Sequence, residues 1–227
     1  MFRSTEKPVP LKTYSKLDSN GDFSYFPGVT VVSSCYTNHK ELCERIYKAL
    51  KESPLVMEYY TPLPAHSYHM TTMDLHTAKE EQQKETEWIN FVDKNLNGLR
   101  KIGTYLEENP ILPQIKSMEV GISRIIYLSL LLSEGQEEQI KKTEQHLGLK
   151  GKVPSPFHIT LAYSRPHKSS SREIDDKLKR ELMAKLKLII ESVKLPLTIG
   201  KPELCYFDDM TAFNPWKAET NPFIKST

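Results

Sequence analysis

A chain of 227 residues, 38% hydrophobic and 26% charged, is long enough to bury a sizeable core and has the balance of an ordinary soluble protein. Its net charge of +2 is too small to declare nucleic-acid binding, although 31 basic residues among 29 acidic ones allow a locally basic cleft. No apolar run approaches the roughly 20 residues of a membrane span, the first residues lack the apolar core of a signal peptide, and three cysteines without paired spacing exclude a disulfide framework or structural zinc site. A reducing, cytoplasmic setting is the expectation.

Residues 1–20 read as a polar, extended N-terminal segment with Pro8 and Pro10, closing in the turn-rich run Asp18-Ser19-Asn20-Gly21-Asp22. Phe26-Pro27-Gly28 then introduces a β-branched strand over 29–36. Asn38 is positioned to cap a helix over 40–52 whose apolar residues Leu42, Cys43, Ile46, Tyr47 and Leu50 recur at helical spacing, with Pro54 marking its end. Residues 59–64 approach a strand around Ser67-Tyr68-His69-Met70-Thr71.

From Ala78 a polar stretch turns into an amphipathic helix with the stripe Trp88, Ile89, Phe91, Val92, Leu96 and Leu99, bounded by Gly103 and Pro110. Residues 116–132 read as two strands with a turn around Gly121 to Arg124, the second a buried apolar run, and residues 137–147 as a helix stopped by Gly148. Pro154 and Pro156 introduce a second strand, Phe157-His158-Ile159-Thr160-Leu161-Ala162-Tyr163. Ser169-Ser170-Ser171 offers a cap for a helix over 172–193, striped by Ile174, Leu178, Leu182, Leu186, Ile189 and Ile190, and a β region over 197–213 closes the chain.

One phrase occurs twice in this order, 89 residues apart (69 to 158): a histidine, an apolar residue and a threonine, in strand context each time. In a strand, residues i and i+2 share a side. Each segment therefore presents one imidazole and one hydroxyl together, with Met70 or Ile159 turned away into packing. Two such pairs brought face to face place two acid–base groups and two hydroxyl donors around an anion-sized space. An imidazole titrates near 6.5, so one ring can accept a proton while the other donates one. That equipment suits phosphoryl transfer without a metal, with Thr71 and Thr160 holding the phosphoryl oxygens. The flanking elements repeat in a related order, which suggests a duplication of structure rather than a sequence repeat.

Paired His-x-Thr motifs of this kind resemble the 2H phosphoesterase superfamily, which includes RNA 2′-5′ ligase-like proteins and cyclic phosphodiesterases. The run Phe26-Pro27-Gly28-Val29-Thr30 adds to the likeness, and Thr72 departs from it, standing where an apolar residue is commoner. The resemblance implies a single bilobal α+β domain over residues 1–227. Two antiparallel sheets, flanked by helices, would hold both motifs in a central groove. It also implies His69 and His158 as the catalytic pair, Thr71 and Thr160 on the phosphate, and no metal or other cofactor.

Other residues carry weaker signals. His66, His69 and His76 are numerous enough for a metal, but strand alternation turns His66 and His69 to opposite faces; His66 and His76 read as surface residues. His39, His146 and His167 fall near helix ends or in loops and read as solvated. Alternation also puts Tyr68 and Tyr163 opposite the histidines, in the core. Arg165, near the strand end, is within reach of a phosphate and equally well placed for solvent. The lysines of the last helix (Lys177, Lys179, Lys185, Lys187) are interspersed with acids and read as a solvated face.

The expected function is a metal-independent phosphodiesterase acting on a cyclic phosphate or a short RNA or nucleotide linkage, with the division of acid and base between the histidines left open. The alternative is a nucleotide- or RNA-binding protein that keeps the groove without turnover. RNA ligation or cyclisation is a third reading and would need an RNA-sized basic groove. A nucleotide or short RNA is the expected partner, with no membrane, no obligate protein partner and a monomeric chain.

Overall fold

The computed structural model describes residues 14–79, 85–166 and 172–224. In chain order the elements are β1 (Gly28–Ser34), α1 (Tyr36–Lys51), α2 (Pro54–Tyr59), β2 (Tyr60–Pro62), β3 (His69–Thr77), α3 (Glu85–Glu108), β4 (Gln114–Ile122), β5 (Ile125–Leu132), α4 (Gln136–His146), β6 (His158–Ser164), α5 (Arg172–Glu191), β7 (Leu197–Thr198), β8 (Glu203–Phe207) and β9 (Asn214–Pro215). A short 3-10 turn, Ala65–Ser67, delivers the chain into β3. The α+β class read from the sequence holds.

The two sheets expected from the sequence are instead one. Among the described residues all nine strands join a single antiparallel network in the order β7-β4-β5-β6-β3-β1-β8-β9, with β2 pairing the far end of β6. The join is the pair Met70↔Ile159, the middle residues of the two motifs. The two halves of the sheet, each carrying one motif, meet at that pair. Helices cover the sheet by burying their apolar stripes: α3 packs on β8, and α5 packs on β4 and α1.

Local chemistry accounts for most boundaries. Ser53 caps α2 by accepting a hydrogen bond from the Val56 amide, with Pro54 as the first helical residue. Gly148 takes the left-handed conformation (φ 69°) just past α4. Asn38 does not cap α1. That helix starts two residues earlier and kinks at His39, while the Asn38 amide and the His39 ring both reach the Thr198 carbonyl of β7. His39 is thereby half-buried rather than solvated, and His146 stacks on Tyr105. α3 also runs through Gly103 to Glu108, with Gly103 in ordinary packing range of the Leu204 side chain of β8. The Ser169–Ser171 cap and His167 lie outside the described residues.

β5 alternates instead of being buried on both faces. Ile126, Leu128, Leu130 and Leu132 enter the core, whereas Leu131 is 56% exposed. The lysines of α5 face solvent as expected, and Trp88 is fully buried in the core.

Candidate active site

The Met70↔Ile159 pairing builds the site. Both side chains are fully buried, so the residues on either side of them turn to the opposite face of the sheet. In antiparallel register about that pair, His69 lies across from Thr160, and Thr71 across from His158. Each imidazole thus stands beside the hydroxyl of the other motif. All four side chains line one cleft of about 570 Å³, walled by Phe26, Phe207, Met210 and Phe213.

The two rings are oriented alike. The Nδ1–H of His69 donates to the Ser67 carbonyl at 2.7 Å, and Nδ1 of His158 lies 3.3 Å from the Pro156 carbonyl, in each case two residues back along the chain. A carbonyl only accepts, so Nδ1 carries the hydrogen and the lone pair of the neutral ring sits on Nε2.

An aromatic ring backs each histidine. Phe213 packs against His69 at a tilt of 51°, with centroids 3.9 Å apart, and rests in turn on Phe207. Phe207 lies over Gly28, its cross-strand partner, where a Cβ would come within 2.2 Å of the ring. In the other half Tyr127 meets His158 edge-on at 6.0 Å and lies over its own cross-strand partner Gly121, where a Cβ would again come within 2.2 Å. Both glycines are there for close approach.

The halves differ in how they treat their histidines. Burial beneath Phe213 pushes the pKa of His69 down from 6.5 to about 4; the Ser67 hydrogen bond opposes the shift, and the charges of Lys16 and His158 reinforce it. His69 is therefore neutral at pH 7, with Nε2 free to accept a proton.

A bulge directly after each motif changes what else reaches the cleft. In β3 the partners of Val31 and Val32 are Met73 and Thr71, leaving Thr72 as the extra residue. In β6 the partners of Ile126 and Tyr127 are Ala162 and Thr160, leaving Leu161 extra. Each bulge reverses the alternation beyond it. Asp74 and Tyr163 consequently turn to the cleft, five residues after their respective histidines. This corrects the core placement of Tyr163; Tyr68, which lies outside the bulged segment, is buried as expected. The departure at Thr72 is absorbed by the same device. Its buried hydroxyl donates to the Val31 carbonyl, and the buried Thr30 hydroxyl donates to the Met73 carbonyl.

Arg165 is not brought to the cleft. It packs on Gly21 and donates to the carbonyls of Tyr60 and Asn20, fastening the turn at residues 18–22. Sequence reasoning missed Lys16, which a hairpin closed by the Leu17–Phe23 bridge carries over the cleft. His66 is exposed, and His76 packs against Phe91. Among the described residues no three His, Cys, Asp or Glu side chains gather as a metal site requires, and no helix is long and apolar enough to cross a membrane.

A second cleft of about 570 Å³ lies behind the sheet. Its wall residue Leu204 is three positions before Phe207 on β8 and so faces the other way. It holds no histidine, and its Arg100 guanidinium is occupied by the Ala218 and Glu219 carbonyls.

Residues 16–112 match a 2H-phosphodiesterase family model, described as a domain of unknown function (DUF1868). The 2H resemblance is borne out. The matched segment contains His69 and Thr71, and the fold supplies the second motif beside them. "Uncharacterized protein 127L" of Invertebrate iridescent virus 6 is 24% identical over 88% of this chain and 93% of its own length. Among solved structures, a conserved protein of unknown function, ATU0111, from Agrobacterium tumefaciens str. C58 superposes with a TM-score of 0.64 at 16% identity, covering 93% of both chains. The fold is therefore shared with that protein. Usb1 of Kluyveromyces marxianus aligns with a TM-score of 0.44 and 13% identity over 85% of this chain and 99% of its own.

Proposed function

We propose that this chain is a metal-independent phosphodiesterase of the 2H type, acting on a cyclic phosphate or on a short RNA or nucleotide phosphodiester. The observation that carries the reading is the placement of both His-x-Thr pairs on adjacent antiparallel strands, related about Met70↔Ile159 and opening into one cleft.

His69, neutral at pH 7, is the base. Its Nε2 takes a proton from the attacking water as the oxygen bonds to phosphorus. His158, across the seam, is the acid: its Nε2–H passes to the leaving sugar oxygen as the phosphorus–oxygen bond breaks. Solvent exchange then restores both rings. Thr71 and Thr160 donate to the non-bridging oxygens, where negative charge gathers.

The test is a panel of 2′,3′-cyclic nucleotides, 2′-5′ and 3′-5′ oligonucleotides and ADP-ribose cyclic phosphate, assayed in EDTA. Turnover with a bell-shaped pH profile is expected, and His69→Ala and His158→Ala should each lose roughly 10²- to 10⁴-fold. Activity that survives both substitutions refutes the mechanism. Calorimetric binding of cyclic nucleotides without any product would favour a binding protein that has kept the groove.

A further inference from the structure

The two halves of the cleft are matched in their histidines, threonines and bulges, but the residues that the bulges turn inward are not matched. One is Asp74, an exposed carboxylate; the other is Tyr163, whose hydroxyl is already engaged. Lys16 Nζ donates to that hydroxyl at 3.3 Å, and the hydroxyl donates onward to Met210 Sδ at 3.4 Å. The ammonium also sits 4.8 Å from the centre of the Tyr163 ring and 5.7 Å from that of Phe26. Two ring faces and a hydroxyl therefore hold this cation in place. Among the described residues no carboxylate pairs with it.

Asp74 and Tyr163 lie in opposite directions from the Met70↔Ile159 seam, since β3 and β6 run antiparallel. The cleft thus carries Lys16 on the Tyr163 side, and Asp74 together with Lys79 toward the end of β3. The motifs themselves supply only imidazoles and neutral hydroxyls, whereas a phosphodiester is an anion.

We infer that Lys16 and Tyr163 form an anion subsite adjoining the histidine pair, and that the Lys16 ammonium takes a phosphate oxygen of the substrate. This rests on the phosphodiesterase reading and adds a residue that neither motif contains. The oxygen belongs either to the scissile phosphate or to a second phosphate on the same substrate. In both cases the hairpin is part of the substrate-binding surface.

The full chain is titrated with inorganic phosphate by calorimetry, as wild type, Lys16→Met, Lys16→Arg and Tyr163→Phe. Lys16→Met is expected to weaken phosphate at least tenfold, with Lys16→Arg retaining most of the affinity and Tyr163→Phe falling between. Lys16 is exposed, so these variants are expected to fold. Turnover is then compared on a 2′,3′-cyclic nucleotide with and without a 5′-phosphate. A loss in Lys16→Met on both substrates assigns the ammonium to the scissile phosphate. A loss confined to the 5′-phosphorylated one assigns it to a second phosphate.

The pH profile gives a separate readout. Lys16, His158, Asp74, Lys79 and Tyr163 are the charged and titratable groups that share the cleft with His69. Removing the Lys16 charge should move the acidic limb of kcat/KM to higher pH, which a purely structural role would not do. Phosphate affinity unchanged in Lys16→Met, or no phosphate binding by the wild type, overturns the inference. Lysine-dependent phosphate binding without turnover would sustain it while removing the phosphodiesterase reading.

Discussion

Replacing Phe213 by alanine tests how the fold prepares His69. The ring centroid lies 3.9 Å from that of the imidazole and contributes to the burial that pushes the His69 pKa down from 6.5 to about 4. The gap corresponds to roughly 3 kcal/mol of preference for the neutral ring. The alanine variant admits water, so the His69 pKa should rise toward 6.5, followed by the Cε1–H resonance in an NMR titration. Because the base acts only when neutral, the acidic limb of kcat/KM should move up by as much as about two pH units. Stability should respond in the same sense. The folded-state pKa is depressed, so between pH 6.5 and 4 the unfolded chain binds more protons, and stability falls as pH falls through that window. Denaturant melts across that range should show a smaller loss in the variant than in the wild type. A His69 resonance titrating near 6.5 in the wild type, or one unmoved by the substitution, refutes the reasoning.

Other substitutions probe the supporting structure. Gly121→Ala drives a methyl into the Tyr127 ring and should cost about 1–3 kcal/mol by overpacking, with kcat reduced more than KM as His158 loses its backing. Gly28→Ala, acting through Phe207 and Phe213, should disturb His69 in the same way; unchanged kcat in both would show that the rings do not position the histidines. Thr72→Val keeps the shape but deletes the hydroxyl bound to Val31, and a loss of about 0.5–1.5 kcal/mol in denaturant melts is expected. Arg165→Met should lower the melting temperature by freeing the turn at residues 18–22, with its larger effect on stability rather than on kcat.

The elements and the site differed in how much of them could be read in advance. Helical stripes and β-branched runs located nearly every element, because burying one face imposes a period on the residues that form it. The His-x-Thr pairs were legible for a similar reason: i and i+2 share a face whatever the rest of the strand does. The bulges were harder to see, although β3 carries a trace of one. Its apolar residues Met70, Met73 and Leu75 change phase between 70 and 73, which an unbroken strand facing a core does not do. Strict alternation placed Tyr163 in the core because it took β6 as unbroken. Lys16 left no such trace, since a lysine in a polar segment looks the same whether it faces bulk water or a cleft.

The amino-acid order by itself determined which side chains carry the chemistry, through the local geometry of a strand and the acid–base range of imidazole. Only the tertiary structure decided that the motif strands are neighbours, that His69 is sheltered by Phe213 while His158 meets Tyr127 edge-on, and that a lysine 53 residues before His69 (16 to 69) reaches the same cleft. Those are consequences of pairing and burial between segments far apart in the chain. No window of neighbouring residues contains them.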